Sequence, residues 1–343
     1  MAPSPSSPTD GSPSTPLSVP SAAFPSEPDM RNMFTRRIAL TVGALSCTAL
    51  LAACGGNPPQ AGTGGKDSSA TTGSGAKVTM DQALHDQLPA KVVKAGKLIS
   101  VNNGSFPPYE IAGSDGHHLT GASADLSTAL GQLLGVTIEH VTADGLPSEL
   151  TGIKAGRYDF AVGPIGDFKD RQGANDFVDW VREFVVFAVP KDNPKKITSL
   201  DTACGRKIAV MAGGSAEGVI KTQSQTCEKD GKPAVQVQSY KDQPSSILAV
   251  KSGRADAFFS SQAPLTYFVQ QSKGELELSG TGQSNGFDTL YQGAVVPKNG
   301  ELRDVLLKAF QKLMDDGTYG QIMKKWGLED NELKQAGINL ATS

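Results

Sequence analysis

Arg171 and the run Gly213, Gly214, Ser215 are the residues of this chain best suited to holding an anion. A guanidinium presents a planar fork that makes two charge-assisted hydrogen bonds to a carboxylate, a geometry that Lys does not copy. The G-G-S run falls between an apolar stretch, K-I-A-V-M (Lys207–Met211), and a helical one that begins S-A-E-G-V-I-K. Glycines at a strand-to-helix junction leave free N–H groups at the helix start, a seat for negative charge. Arg171 itself lies in K-D-R-Q, a polar run that suits a solvated arginine as well as a ligand-holding one. G-G-S is not a nucleotide loop, because G-x-x-x-x-G-K-[ST] is absent. Catalysis finds less support. His85, His117, His118 and His140 lack a metal-ligand spacing such as H-E-x-x-H, and there is no G-x-S-x-G. Carboxylates abound, yet sequence does not place two at glycosidase separation. No catalytic residue, metal or cofactor is expected.

The elements that must position these residues are announced by a repeated phrase. K-A-G-R-Y-D-F-A-V (Lys154–Val162) returns as K-S-G-R-A-D-A-F-F (Lys251–Phe259). Each copy reads as a short amphipathic helix ending in Lys and Gly, then Arg-x-Asp, then a buried strand. Short apolar runs between helices are strands of a parallel sheet covered on both faces, so two copies predict two α/β lobes. K-L-I-S-V (Lys97–Val101), a helix over Ala124–Leu134 and V-T-I-E-H-V surround the first copy; K-I-A-V-M, a helix from Ser215 and V-Q-V-Q-S surround the second. The tail adds a strand at Leu290–Val296 and a helix over Glu301–Asp316 with an apolar stripe of Leu302, Val305, Leu306, Ala309, Phe310, Leu313 and Met314. A tail packed on the first lobe requires two crossings, near Phe184 to Pro190 and near Phe287, and two parallel crossings make a hinge. The expected divisions are an extension and signal over 1–53, a tether over 54–80, lobe 1 over 81–185 and 286–337, and lobe 2 over 186–285.

The N-terminal region reads as export signal. Residues 1–29 are mostly Pro, Ser, Thr and Ala; Met30 and Met33 are better candidate starts. Behind Arg36 and Arg37 the apolar run Ile38–Ala53 rises only about 24 Å as a helix, short of the roughly 30 Å of a bilayer core. It ends in L-A-A-C (Leu51–Cys54), which resembles the bacterial lipoprotein box. The resemblance implies cleavage before Cys54, a diacylglyceryl anchor on its sulfur and a place on the outer face of the cytoplasmic membrane. A soluble product cut after A-x-A is the alternative, and T-R-R-I-A-L leaves twin-arginine and general export both open. Residues 1–53 hold three acids and three arginines, so the net charge of -3 survives their removal and offers no field for nucleic acid. Cys204 and Cys227 are then the cysteines left to the folded part, and outside the cytoplasm such a pair joins.

F-P-P-Y-E (Phe106–Glu110), L-T-G-A-S-A-D-L (Leu119–Leu126), A-G-R-Y-D-F-A-V, Arg171, A-G-G-S-A-E (Ala212–Glu217), S-G-R-A-D-A and M-K-K-W-G (Met323–Gly327) occur in one order. From about Leu98 to Gly327 the chain thereby resembles bacterial extracellular solute-binding proteins of family 3, the polar-amino-acid receptors of ABC importers. The resemblance implies a periplasmic-binding-protein type II fold, two α/β lobes joined by a two-stranded hinge, acting as a monomer that hands its solute to a membrane permease. It implies that Phe106 stacks on the solute, Arg171 grips its carboxylate and Ser215 adds a hydroxyl contact, with Tyr109 and Gly214 beside them. Phe106 alone fits a core position equally well.

The chain departs from the family pattern where acids hold an α-ammonium: Asn103, Ser123 and Ser261 stand at those places. Gly166 and Pro164 stand where hydroxyl residues are expected. A buried ammonium without a carboxylate carries a desolvation cost of several kcal/mol. The implied solute therefore has a carboxylate-like end and lacks an ordinary free α-ammonium, with Asn103, Ser123, Ser261 and Gln262 bonding an amide, hydroxyl or modified amine. A small acid, a cyclised or N-substituted amino acid, and a polar amino acid held by other groups all fit. A lyase or hydrolase built on the same scaffold and a secreted ligand-sensing protein are the competing readings.

Overall fold

The computed structural model describes residues 78–342; the signal, Cys54 and nearly all of the tether lie outside the described residues. The first lobe opens with helices α1 (Gln82–His85) and α2 (Ala90–Ala95), strand β1 (Lys97–Asn102) and a small sheet of β2 (Ser105–Phe106), β3 (Glu110–Ala112) and β4 (Leu119–Thr120). It continues through α3 (Ala122–Leu134), β5 (Thr137–Thr142), α4 (Leu146–Lys154), β6 (Ala161–Gly166), α5 (Lys169–Gln172) and β7 (Asn175–Glu183). The second lobe holds β8 (Val185–Pro190), β9 (Lys207–Met211), α6 (Ser215–Lys229), β10 (Gln236–Tyr240), α7 (Gln243–Lys251), β11 (Ala257–Ser261), α8 (Gln262–Gln271) and β12 (Leu276–Ser279). The chain then returns with β13 (Leu290–Pro297), α9 (Leu302–Asp315), α10 (Thr318–Lys325) and β14 (Glu332–Ile338).

In lobe 1, β1 and β5 pair in parallel and a bridge from Ser100 to Phe160 joins them to the order β6-β13-β7-β14. Lobe 2 is a single sheet, β10-β9-β11-β8-β12, parallel over its first three strands. The repeated phrase has one physical meaning in both. Asp159 accepts the Ile99 N–H at 2.9 Å, and Asp256 accepts the Lys207 N–H at 2.8 Å. Each aspartate thus clips the first residues of the neighbouring parallel strand after its helix has turned back. The two arginines share no such partner; Arg157 lies over Tyr158, and Arg254 bonds Ser252.

The tail helices bury Leu302, Val305, Leu306, Ala309, Phe310 and Leu313 in the same core as Leu126, Leu130, Trp180 and Phe160. Strand β14, which L-K-Q-A-G-I does not announce by alternation, adds an edge to β7. After it, the Leu340 N–H donates to Asp179 and the Ala341 N–H to Asp167, a strap across the buried acids of that sheet.

Cys204 and Cys227 form a disulfide that ties the start of β9 to α6. Replacing both by alanine should lower unfolding stability by about 2–4 kcal/mol through the freer unfolded chain. Solute affinity should stay within about twofold, because the bridge lies in the lobe 2 core away from the interlobe space. Denaturant melts and calorimetry on the same preparation check both halves.

Candidate functional site

The strands of both lobes bring their C-terminal ends to one interlobe cleft, where open parallel sheets leave room for ligands. β1 delivers Asn103, β6 ends in Pro164, Ile165 and Gly166, β9 leads into Gly214, Ser215 and Ala216, and β11 ends in Ser260 and Ser261. The space between them is narrow, a cavity of about 40 Å³.

Arg171 is carried on the single turn α5 directly after β6. Its Nη1 donates to the Gly166 carbonyl at 2.8 Å and its Nη2 to the Gly213 carbonyl, across the cleft, at 2.5 Å. The guanidinium carbon sits 5.0 Å from the centre of the Phe168 ring, which holds it in place. A β-carbon at Gly166 would come within 2.5 Å of that ring, so glycine leaves the arginine its position. Burial draws the Arg171 pKa down, and Asp170, Glu149 and Asp167 oppose this.

On the facing lobe, Gly214 caps α6 and Ser215 opens it, where the first N–H groups of a helix have no partner within it. Gly213 holds φ at +71°, and a β-carbon there would lie 3.0 Å from Pro147 of the other lobe. Its N–H donates to Glu217 at 2.8 Å, which fixes the loop's aim.

Phe106 lines the cleft and stacks on Tyr109 at 5.6 Å; Tyr109 meets Trp180 edge-on at 6.0 Å, and Trp180 stacks on Phe310 at 6.0 Å. Tyr109 is therefore the backing of the wall, with its hydroxyl donating to Glu183 at 2.6 Å. Burial above all pushes the Glu183 pKa up to about 7, against the hydrogen bond from Tyr109.

The structure brings Asn103, Phe106, Gly166, Arg171, Gly214, Ser215 and Ser261 to the cleft. Ser123 goes elsewhere: it is fully buried near the start of α3, and its hydroxyl is committed to the Gly163 carbonyl. Gln262 begins α8 and donates its N–H to the Phe184 carbonyl at 2.7 Å, serving the lobe crossing and not the cleft wall. Residues that sequence reasoning missed include Leu146, Met211 and Gln292. The Gln292 amide donates to Ser261 across the lobes at 3.4 Å, while its oxygen has no partner among the described residues. A polar residue inside the apolar strand L-Y-Q-G-A-V-V was the available signal.

Known proteins resemble this chain over most of the described residues. A family model described as bacterial extracellular solute-binding proteins, family 3, matches residues 98–329. The arginine-binding protein ArgT of Corynebacterium glutamicum is 28% identical over 307 residues, 89% of this chain and 96% of ArgT. The L-cystine-binding protein TcyJ of Escherichia coli K12 is 25% identical over 240 residues, 69% and 84% of the two chains. Among solved structures, an ancestral arginine-binding protein bound to arginine matches with a TM-score of 0.60 at 26% identity, covering 67% of this chain and 98% of that one. AbpA of Streptococcus pneumoniae, bound to L-arginine, matches with a TM-score of 0.62 over 71% and 100% of the chains; at 19% identity the likeness concerns the fold.

Proposed function

The chain belongs to the bacterial extracellular solute-binding proteins of family 3, and from that premise we propose that its cleft closes on a small polar solute bearing a carboxylate, an amino acid or a derivative, and delivers it to an ABC permease. It is an extracytoplasmic binding protein and not an enzyme. The observation that carries the reading is Arg171, whose fork spans from Gly166 of one lobe to Gly213 of the other. A carboxylate exchanging with those carbonyls gains a full charge pair in a half-buried site. Ser215 with its helix N-terminus meets the same anion from lobe 2, Phe106 offers a flat apolar face, and Asn103, Ser261 and Gln292 supply further polar contacts.

Closure follows from differential binding, since a solute that touches both lobes favours the form in which both are near. Moving such a clamp from mostly open to mostly closed takes about 5.5 kcal/mol of difference. The relatives named for arginine and cystine support an amino-acid-like solute. The proposal extends to a monomer held at the membrane through lipidated Cys54, on the strength of L-A-A-C.

Calorimetry of the purified protein against the standard L-amino acids, L-cystine and small carboxylic acids tests the reading, with small-angle scattering on each mixture. We expect a saturable heat, a more compact particle and solute recovered unchanged after denaturation. Flat heats and unaltered scattering across the panel would overturn it.

A further inference from the structure

Arg171 rides on α5, a turn of four residues that buries none of its side chains and has no side-chain cap at its start. A helix so short does not hold itself in water, so the aim of the guanidinium depends on what grips the turn from outside. One grip is the strap that follows β14. The Gln172 amide nitrogen has two hydrogens to place; it donates to Asp167 Oδ1 at 2.8 Å and lies 3.4 Å from the Ala341 carbonyl oxygen. The Ala341 N–H donates in turn to Asp167 Oδ2 at 2.8 Å. Asp167, Ala341 and Gln172 thus close a ring across α5, from the residue before Phe168 to the last residue of the turn.

That ring is tied to the sheet. The Asn339 N–H donates to the Phe177 carbonyl at 3.1 Å, the Asn339 side-chain oxygen accepts the Phe177 N–H at 2.9 Å, and its amide donates to Asp176 at 2.9 Å. The Leu340 N–H donates to Asp179 at 3.0 Å. Asn339 holds φ at +52°, a conformation that Asn adopts more readily than most residues. Asp167 is 1% exposed and Ala341 5%, so the bonds between them form out of water, where each counts for more than at the surface. The strap lies past residue 329, where the match to the family ends.

We propose that Gln172 and the strap of residues 339–341 are positioning elements for the grip on the solute: they fix α5 against β7, aim Arg171 into the cleft and so set affinity without touching the solute. The proposal rests on the reading of Arg171 given above. The guanidinium's own bonds do not keep that aim. Its contacts with the Gly166 and Gly213 carbonyls are the ones a carboxylate exchanges with, so a binding solute removes them. What then holds the fork is the Phe168 ring beneath it and the closed ring that anchors the turn.

The test uses Q172M, which keeps the bulk of the side chain and removes both donors, and a chain ending after Ile338, each alone and combined with R171A. Calorimetry with the standard L-amino acids and L-cystine should show either change weakening the solutes that wild type binds by about threefold to tenfold. The thermal midpoint of Q172M should stay within about 4 °C of wild type. On R171A, Q172M should alter affinity by less than about twofold, because no fork remains to be aimed, whereas a general loosening of the lobe would still be felt. The Arg171 and Gln172 N–H groups donate to the Phe168 carbonyl at 2.9 and 3.0 Å; their hydrogen exchange should speed by at least about tenfold in Q172M while β6 and β7 keep their protection. Unchanged affinity or unchanged exchange in Q172M overturns the proposal, as does an equal loss with and without Arg171; if R171A still weakens binding, the reading of Arg171 stands. Should R171A bind as wild type does, or wild type bind no member of the panel, that reading falls and takes the proposal with it. If the shortened chain does not fold, Q172M decides.

Discussion

R171A should weaken solute binding by about 2–5 kcal/mol, more than about tenfold, while the protein still folds. The loss has two sources. A solute carboxylate would face only the neutral donors of Ser215 and the α6 terminus, and Phe168 would lose the cation lying over its ring. R171K should recover little, since a point charge does not reproduce contacts to Gly166 and Gly213 on opposite sides of the cleft. The fold tolerates the change because Arg171 lies on a four-residue surface turn outside the cores. Calorimetry against the solute preferred by wild type, with a thermal melt as control, decides it; unchanged affinity would remove Arg171 from the site.

W180A should lower unfolding stability by about 3–5 kcal/mol. Trp180 is fully buried, donates its indole N–H to the Val162 carbonyl at 2.9 Å, and lies between Phe310 of the tail and Tyr109 behind the cleft. Its removal opens a void at the junction of three chain segments distant in sequence, which neighbouring side chains cannot fill without leaving their rotamers. Tyr109 loses its backing, so Phe106 should also be less well held and affinity should fall, by less than in R171A. Denaturant unfolding followed by tyrosine and residual tryptophan fluorescence measures the first effect. A stability loss under about 1 kcal/mol would contradict this packing account.

The two lobes were legible because their signature is local. A helix, a glycine and an aspartate within one short phrase suffice to specify a strand clipped to its neighbour, and both Asp159 and Asp256 do this. Arg171 was legible as chemistry but ambiguous as location, since K-D-R-Q is polar whether or not a second lobe stands over it. Glu149 was not legible. Between Pro147 and Lys154 it reads as the wet side of an amphipathic helix, whereas in the folded chain it is only 1% exposed. Ser123 failed for the reverse reason: its place in L-T-G-A-S-A-D-L suggested the cleft, while the short reach of a serine hydroxyl let Gly163 take it first. β14 depends on a distant strand for every ladder bond and carries a bulge between Glu332 and Gly337, so no short-range pattern marks it.

Phe184 alone separates β7 from β8, and Leu290, the first residue of the returning strand, is paired with Glu183 beside it. Two covalent links lying shoulder to shoulder behave like the pin of a door. Sliding and twisting are suppressed, and the halves keep one soft coordinate, the swing about that line. A membrane partner that docks on both halves would thus gauge a span between two rigid faces, and any molecule filling the gap to the same width would send the same message.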